Sequence, residues 1–293
     1  MALLRTETGE FGYDEAGDGE PAVVLVHAGI ADRRMWEHQF RALSGRHRVI
    51  RYDWRGYGES ARPAGPFAHH EDLLAVLDGL KVSRAVLAGS SMGGSYALEA
   101  ALAEPGRVAG LALLCSGLSG RPWPERMLAE AARRVHATVP AERRERYRSG
   151  ATTPYLAEDA TAMAEAHVAW MVAGPDRGPE ALAPGVRELC VTMLRDHWLR
   201  QWGGGHPPVT ERLPEPLPGD RLGEITVPTL VINGLSDVPE IQEVSDLLAA
   251  GIPGARRIDL PDTGHLPALE RPEEVTAALR GLLAGPDRPG PRR

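Results

Sequence analysis

Apolar residues in the first 115 positions fall in short continuous runs: Ala22–His27 (AVVLVH), Arg48–Tyr52 (RVIRY), Ala85–Gly89 (AVLAG) and Val108–Leu114 (VAGLALL). Such runs, rich in β-branched residues and separated by helical stretches, mark strands buried on both faces. They predict a mostly parallel, doubly wound sheet in an α/β protein. Leu3–Thr8 and Phe11–Glu15 read as a hairpin over Gly9-Glu10. Helices fit His69–Leu80 and Met92–Glu104, the second stopped by Pro105-Gly106. The strand pattern returns at Val227–Asn233 and Ala255–Leu260, and Pro272–Leu283 opens with Pro and two glutamates, as a helix N-terminus does. Gly285–Arg293 is too rich in Pro, Gly and Arg to pack and is expected to fray.

Between about Gly117 and Thr226 the strand-like runs vanish and helical periodicity replaces them. Met127, Leu128, Ala131 and Val135 share a face of Pro124–Val139, and Leu156, Met163, His167 and Trp170 share a face of Tyr155–Ala173. Gly185–Trp202 does the same with Leu189, Met193 and either Trp198 or Trp202. Glu142–Arg148 (ERRERYR) reads as a solvated helix face with i,i+4 pairs, and Glu211–Asp220, with three prolines, as a return linker. The expected organisation is a core of residues 1–116 and 227–293, split by a helical cap of residues 117–226.

Composition narrows the functional classes. With 293 residues, 43% hydrophobic and 25% charged, the chain is an ordinary globular one rather than a disordered one. No apolar run reaches the roughly 18 residues of a membrane span, and the first residues turn polar too early for a signal peptide. The net charge of −7 argues against a nucleic-acid partner, which needs clustered Lys and Arg. Only two cysteines are present, Cys115 and Cys190, both in apolar stretches. They fit a cytoplasmic protein in which each packs as a small hydrophobe. Lys81 is the sole lysine beside 32 arginines, which suggests a GC-rich bacterial genome and disfavours a catalytic lysine.

Gly89-Ser90-Ser91-Met92-Gly93 follows an apolar strand and opens a helix. A Gly-x-Ser-x-Gly in that setting is a nucleophile elbow, whose small residues let the chain turn sharply and lift the Ser91 hydroxyl clear of the sheet. A hydroxyl needs a base, and the base needs a group to orient it. His265, in Pro261-Asp262-Thr263-Gly264-His265 just past a strand, fits the first role. Asp237, in Asn233-Gly234-Leu235-Ser236-Asp237 just past another, fits the second. The order Ser91, Asp237, His265 is the one expected on this architecture, and open α/β sheets bind ligands at that strand edge. An oxyanion hole would take one N–H from Met92 and another from the loop His27-Ala28-Gly29-Ile30, by Gly29 or Ile30, with His27 ordering the loop.

These segments, with Asp53-Trp54-Arg55-Gly56-Tyr57-Gly58-Glu59-Ser60, carry a resemblance to the α/β-hydrolase superfamily over nearly all of residues 3–284. Asp53–Ser60 is similar to the family's structural D-x-R-G-x-G-x-S loop, and Ser91–Gly117 looks closest to enol-lactonase and related esterase-like members. The resemblance implies an α/β-hydrolase fold whose cap, here residues 117–226, covers a substrate pocket. Ser rather than Asp at the elbow sets the chain apart from the dehalogenase and epoxide hydrolase branches. Ala28 departs from the family, which usually has Gly there.

Asp32, Trp36, His167, Trp170 and Trp198 are the candidate pocket residues; a pocket lined by Trp and Met would suit a bulky apolar substrate. No metal-ligand spacing, no Gly-rich phosphate loop before a Lys and no cofactor fingerprint appears, so neither metal nor cofactor is expected. The expected activity is that of a serine hydrolase on a small-molecule carboxylic ester or lactone. The same triad could serve C–C hydrolysis, perhydrolysis, or thioester, cyclisation or elimination chemistry, and a non-catalytic ligand receptor is the most distant alternative. Monomer and homodimer both stay open.

Overall fold

The computed structural model describes residues 2–203 and 209–285. Its strands are β1 (Ala2–Arg5), β2 (Glu10–Ala16), β3 (Ala22–Val26), β4 (Val49–Tyr52), β5 (Ala85–Ser90), β6 (Val108–Leu114), β7 (Thr229–Gly234) and β8 (Arg256–Leu260). They form one sheet in the order β1-β2-β4-β3-β5-β6-β7-β8. β2 runs antiparallel to β1 and β4, and all the other pairs are parallel. Each strand lies within about two residues of the run that predicted it; apart from Gly285, the tail expected to fray lies outside the described residues.

The continuous apolar runs have a direct cause in the packing. Val24 and Val26 of β3, Leu87 of β5 and Leu111 and Leu113 of β6 face one apolar cluster. Their neighbours Val23, Leu25, Ala88, Ala112 and Leu114 face a second cluster on the other side. The first is completed by α2 (His69–Gly79), α3 (Met92–Ala103) and α8 (Pro239–Gly251); the second by α1 (Glu37–Ser44), the single turn α9 (Pro267–Glu270) and α10 (Pro272–Ala284).

Between β6 and β7 the described residues hold no strand. They hold α4 (Glu125–Arg134), α5 (Ala141–Arg148), α6 (Leu156–His167) and α7 (Pro184–Trp202). A wide π-wound turn, Val168–Val172, continues α6. The insert has its own cluster of Met127, Val135, Tyr147, Met163, Trp170 and Trp202, which extends to Cys115, Val238 and Ile241 of the sheet half. Leu128, expected beside Met127, is 55% exposed. Consecutive helical residues point about 100° apart, and on a surface helix only one of the two can face inward. Seams hold the insert to the sheet half. His197 stacks on Tyr57 at 4.1 Å, Arg126 pairs with Glu240 at 2.7 Å, and the Arg200 guanidinium donates to the carbonyls of Gly58 and Ser60. No helix among the described residues is long and apolar enough to cross a membrane.

Candidate active site

β5 runs straight into the elbow. Ser91 sits at φ 54°, ψ −126°, a backbone conformation that costs a non-glycine residue about 1–3 kcal/mol. It is held there by its own N–H on the Leu114 carbonyl and by the Gly117 N–H on its carbonyl, both at 2.9 Å. The flanking glycines make room for the turn: a Cβ on Gly89 would lie 2.2 Å from the Gly93 carbonyl oxygen, and one on Gly93 2.3 Å from that of His27. Ser91 caps α3, so its hydroxyl stands over the unpaired N–H groups and positive end of that helix.

The turns after β7 and β8 bring two more side chains to the same edge. Asp237 Oδ2 lies 2.6 Å from His265 Nδ1, and His265 Nε2 lies 2.9 Å from Ser91 Oγ. Asp237 and His265 are almost completely buried. A carboxylate accepts only, so Nδ1 carries the proton and Nε2 is left as the acceptor for the Ser91 hydroxyl. Asp237 Oδ1 is fixed in turn by the Val238 N–H at 2.7 Å. Cys115 lies between these turns, its Sγ accepting the Gly234 N–H at 3.3 Å. Burial pushes its thiol well above the usual range, and pushes that of Cys190 up to about 12, so neither is a thiolate at neutral pH.

The loop after β3 is ordered by a histidine, as expected. His27 Nε2 accepts the Trp54 N–H at 3.0 Å, which leaves Nδ1–H to donate to the Ala28 carbonyl at 2.8 Å. A planar trans peptide points its N–H opposite its carbonyl, so this bond aims the Gly29 N–H away from His27. Ala28 is fully buried and is absent from the positive-φ residues, so the loop accommodates its Cβ without strain.

The expected pocket residues divide. Asp32 lines a cavity of about 370 Å³ with Arg34, Tyr57, Met193, Asp196 and His197. Ser91 is not on its wall, although Tyr57 donates its hydroxyl to the Gly29 carbonyl at 3.1 Å and so connects the two. Trp36 is fully buried in the cluster beneath the sheet with Met35 and Leu43. Trp170 and Trp198 pack in the cluster of the insert, Trp198 against Trp202 at 5.1 Å. His167 Nε2 meets Met171 Sδ at 3.2 Å. Burial, with a smaller push from the nearby His265, lowers its basicity to about 4, so the ring is neutral at neutral pH. Sequence reasoning passed over Glu270 and Arg177, whose carboxylate and guanidinium lie 3.8 Å apart beneath the His265 turn.

A profile described as the alpha/beta hydrolase family matches residues 23–278. A protein of Azorhizobium caulinodans that carries the provisional name carbamate hydrolase RutD is 31% identical over 92% of this chain and 93% of its own. The 3-oxoadipate enol-lactonase 1 of Acinetobacter baylyi is 24% identical over 91% of this chain and 90% of its own. Among solved structures, a thermophilic esterase from Thermogutta terrifontis superposes with a TM-score of 0.70 at 28% identity, covering 97% of each chain.

Proposed function

The chain belongs to the alpha/beta hydrolase family, and we propose that within it this protein is a serine hydrolase that cleaves a carboxylic ester or lactone through an acyl-enzyme. The observation that carries the reading is the relay of 2.9 Å from Ser91 Oγ to His265 Nε2 and 2.6 Å from His265 Nδ1 to Asp237 Oδ2, at the end of three parallel strands. The lactonase and esterase likenesses over nearly the whole chain support the substrate class.

Ser91 Oγ attacks the carbonyl carbon while His265 Nε2 takes its proton, and Asp237 holds the imidazole in place and stabilises its charge. The Met92 and Gly29 N–H groups receive the oxyanion, each with an effect on the order of 2.7–4 kcal/mol. As the tetrahedral adduct collapses, His265 returns the proton to the leaving alkoxide. Water, deprotonated by the same nitrogen, then attacks the acyl–Ser91 ester and frees the acid. We read residues 117–226 as a cap over this edge, in which His167, Trp170 and Trp198, together with Asp32 of the sheet half, select the substrate.

The test is turnover of a panel of aryl esters, lactones, thioesters and carbamates, ranked by kcat/KM, with Ser91 labelled by a fluorophosphonate. Turnover and labelling should both vanish in Ser91→Ala. A variant that kept near-wild-type turnover would sink the mechanism. Carbamates belong in the panel because of the RutD likeness.

A further inference from the structure

The turn that carries His265 is gripped from below by a side chain outside the relay. Glu270, on α9, has a carboxylate only 5% exposed. Both its oxygens accept the Gly264 N–H, at 3.0 and 3.1 Å, and the Arg177 Nη1 of the insert lies 3.8 Å away. The next peptide is held from the insert as well: the His265 N–H donates to the Met171 carbonyl at 3.3 Å. Gly264 is wedged between these contacts, since a Cβ there would lie 2.0 Å from the Val172 carbonyl oxygen.

We propose that Glu270 is a positioning residue for the histidine base, and that through Arg177 it ties the placement of that base to the helical insert. The inference rests on the reading of His265 as the base. A buried carboxylate has four lone-pair directions and no proton to give, so it must find donors. Here the donor is the Gly264 N–H, and the Arg177 guanidinium of the insert adds an opposite charge 3.8 Å away. The relay distances leave little slack, because a misplacement of about 1 Å can cost about 10²-fold in rate. Asp237, from the turn after β7, faces Glu270 with like charge. The neutral thiols of Cys115 and Cys190 face it from the end of β6 and from α7, and Arg177 is the cation among these neighbours. Burial pushes the carboxyl up to about 7 against the pull of the Gly264 N–H and Arg177. The charged form, with two free acceptor oxygens and the attraction of Arg177, therefore gives way to a weaker grip as pH falls through neutrality.

The experiment measures kcat and KM for a p-nitrophenyl ester across neutral pH in wild type, Glu270→Gln, Glu270→Ala and Arg177→Met. Wild type should show an inflection in kcat near pH 7. Glu270→Gln should shift that inflection without abolishing it, since the histidine base loses function on protonation in either form, and lower kcat about threefold on the alkaline side, with KM within about twofold, as expected for a lost positioning contact. Glu270→Ala should lower kcat about 30-fold by the same logic. Arg177→Met, which removes the cation, should move the inflection to higher pH. A second readout needs no substrate: the low-field proton resonance of the His265 Nδ1–H, which reports its bond to Asp237, should broaden or shift in Glu270→Gln. If wild type hydrolyses nothing on the panel, the functional reading fails and this resonance still decides the positioning role. Glu270→Gln with wild-type kcat, profile and resonance, or a loss confined to KM, would overturn the proposal. If Glu270→Ala does not fold, the Gln and Arg177 variants decide it.

Discussion

Every residue of β3 is buried, alternately in the clusters above and below the sheet, whereas α5 of the insert buries only Tyr147 of its eight residues. The sheet half is fixed by packing on two faces; the insert is fixed by a thin cluster and by seams of ions and rings. Both halves carry buried polar atoms without a hydrogen-bond partner among the described residues, such as Ser90 Oγ and Asn233 Oδ1 in the sheet half and His167 Nδ1, His197 Nδ1 and Trp198 Nε1 in the insert. The difference assigns different tasks. Ser91, with its strained backbone, and Asp237 stand on the half packed on two faces, and the insert is the more easily deformed.

The most severe way to separate the two is to remove chemistry without touching packing. Ser91→Ala should lower kcat by about 10⁴–10⁶-fold with an unchanged melting temperature, by calorimetry and ester assay, because the hydroxyl fills little space. Next comes a paired truncation. Leu111→Ala, in the buried cluster of β6, should lose about 2–5 kcal/mol in urea unfolding. Leu128→Ala, on the exposed side of α4, should stay within about 0.5 kcal/mol. Similar losses at both sites would erase the distinction.

Acid should then loosen the insert first. His167 and His197 are half-buried and neutral, lowered from 6.5 to about 4 and about 3, chiefly by desolvation of their rings. Groups with depressed basicity contribute stability that is full above about 6.5 and is lost as pH falls toward 4 and 3. His197→Phe keeps a ring on Tyr57 and removes the proton site. It should recover on the order of 2 kcal/mol at pH 5 and move the acid transition in tryptophan fluorescence to lower pH. A small effect also belongs to the exposed pair of Arg34 and Asp196, at 3.1 Å. Asp196→Ala should cost no more than about 1 kcal/mol in thermal unfolding, less in high salt.

The strands were legible because burial on two faces writes itself as an unbroken apolar run, as in Val108–Leu114. The three residues of the relay were legible because elbow, acid and base each follow such a run. α1 was missed because it offers only Phe40 and Leu43 as apolar anchors along Glu37–Ser44. α8 was missed although Ile241, Val244 and Leu248 keep helical spacing, since no side-chain N-cap marks its start at Val238. The burial of Trp36 was not legible, because a tryptophan near a loop reads the same whether it lines a pocket or fills a core. Glu270 carried no local signal: its partner Arg177 lies across the fold, and only the tertiary contact distinguishes it from the other acids near the C-terminal helix.

The strand order has a consequence for how the molecule is made. β7 and β8 add to the sheet beside β6, yet they leave the ribosome only after the whole insert has been synthesised. A nascent or truncated chain that ends within the insert carries Ser91 with neither Asp237 nor His265. The contacts that join these three side chains therefore form late in biosynthesis, after every helix of the insert has left the ribosome.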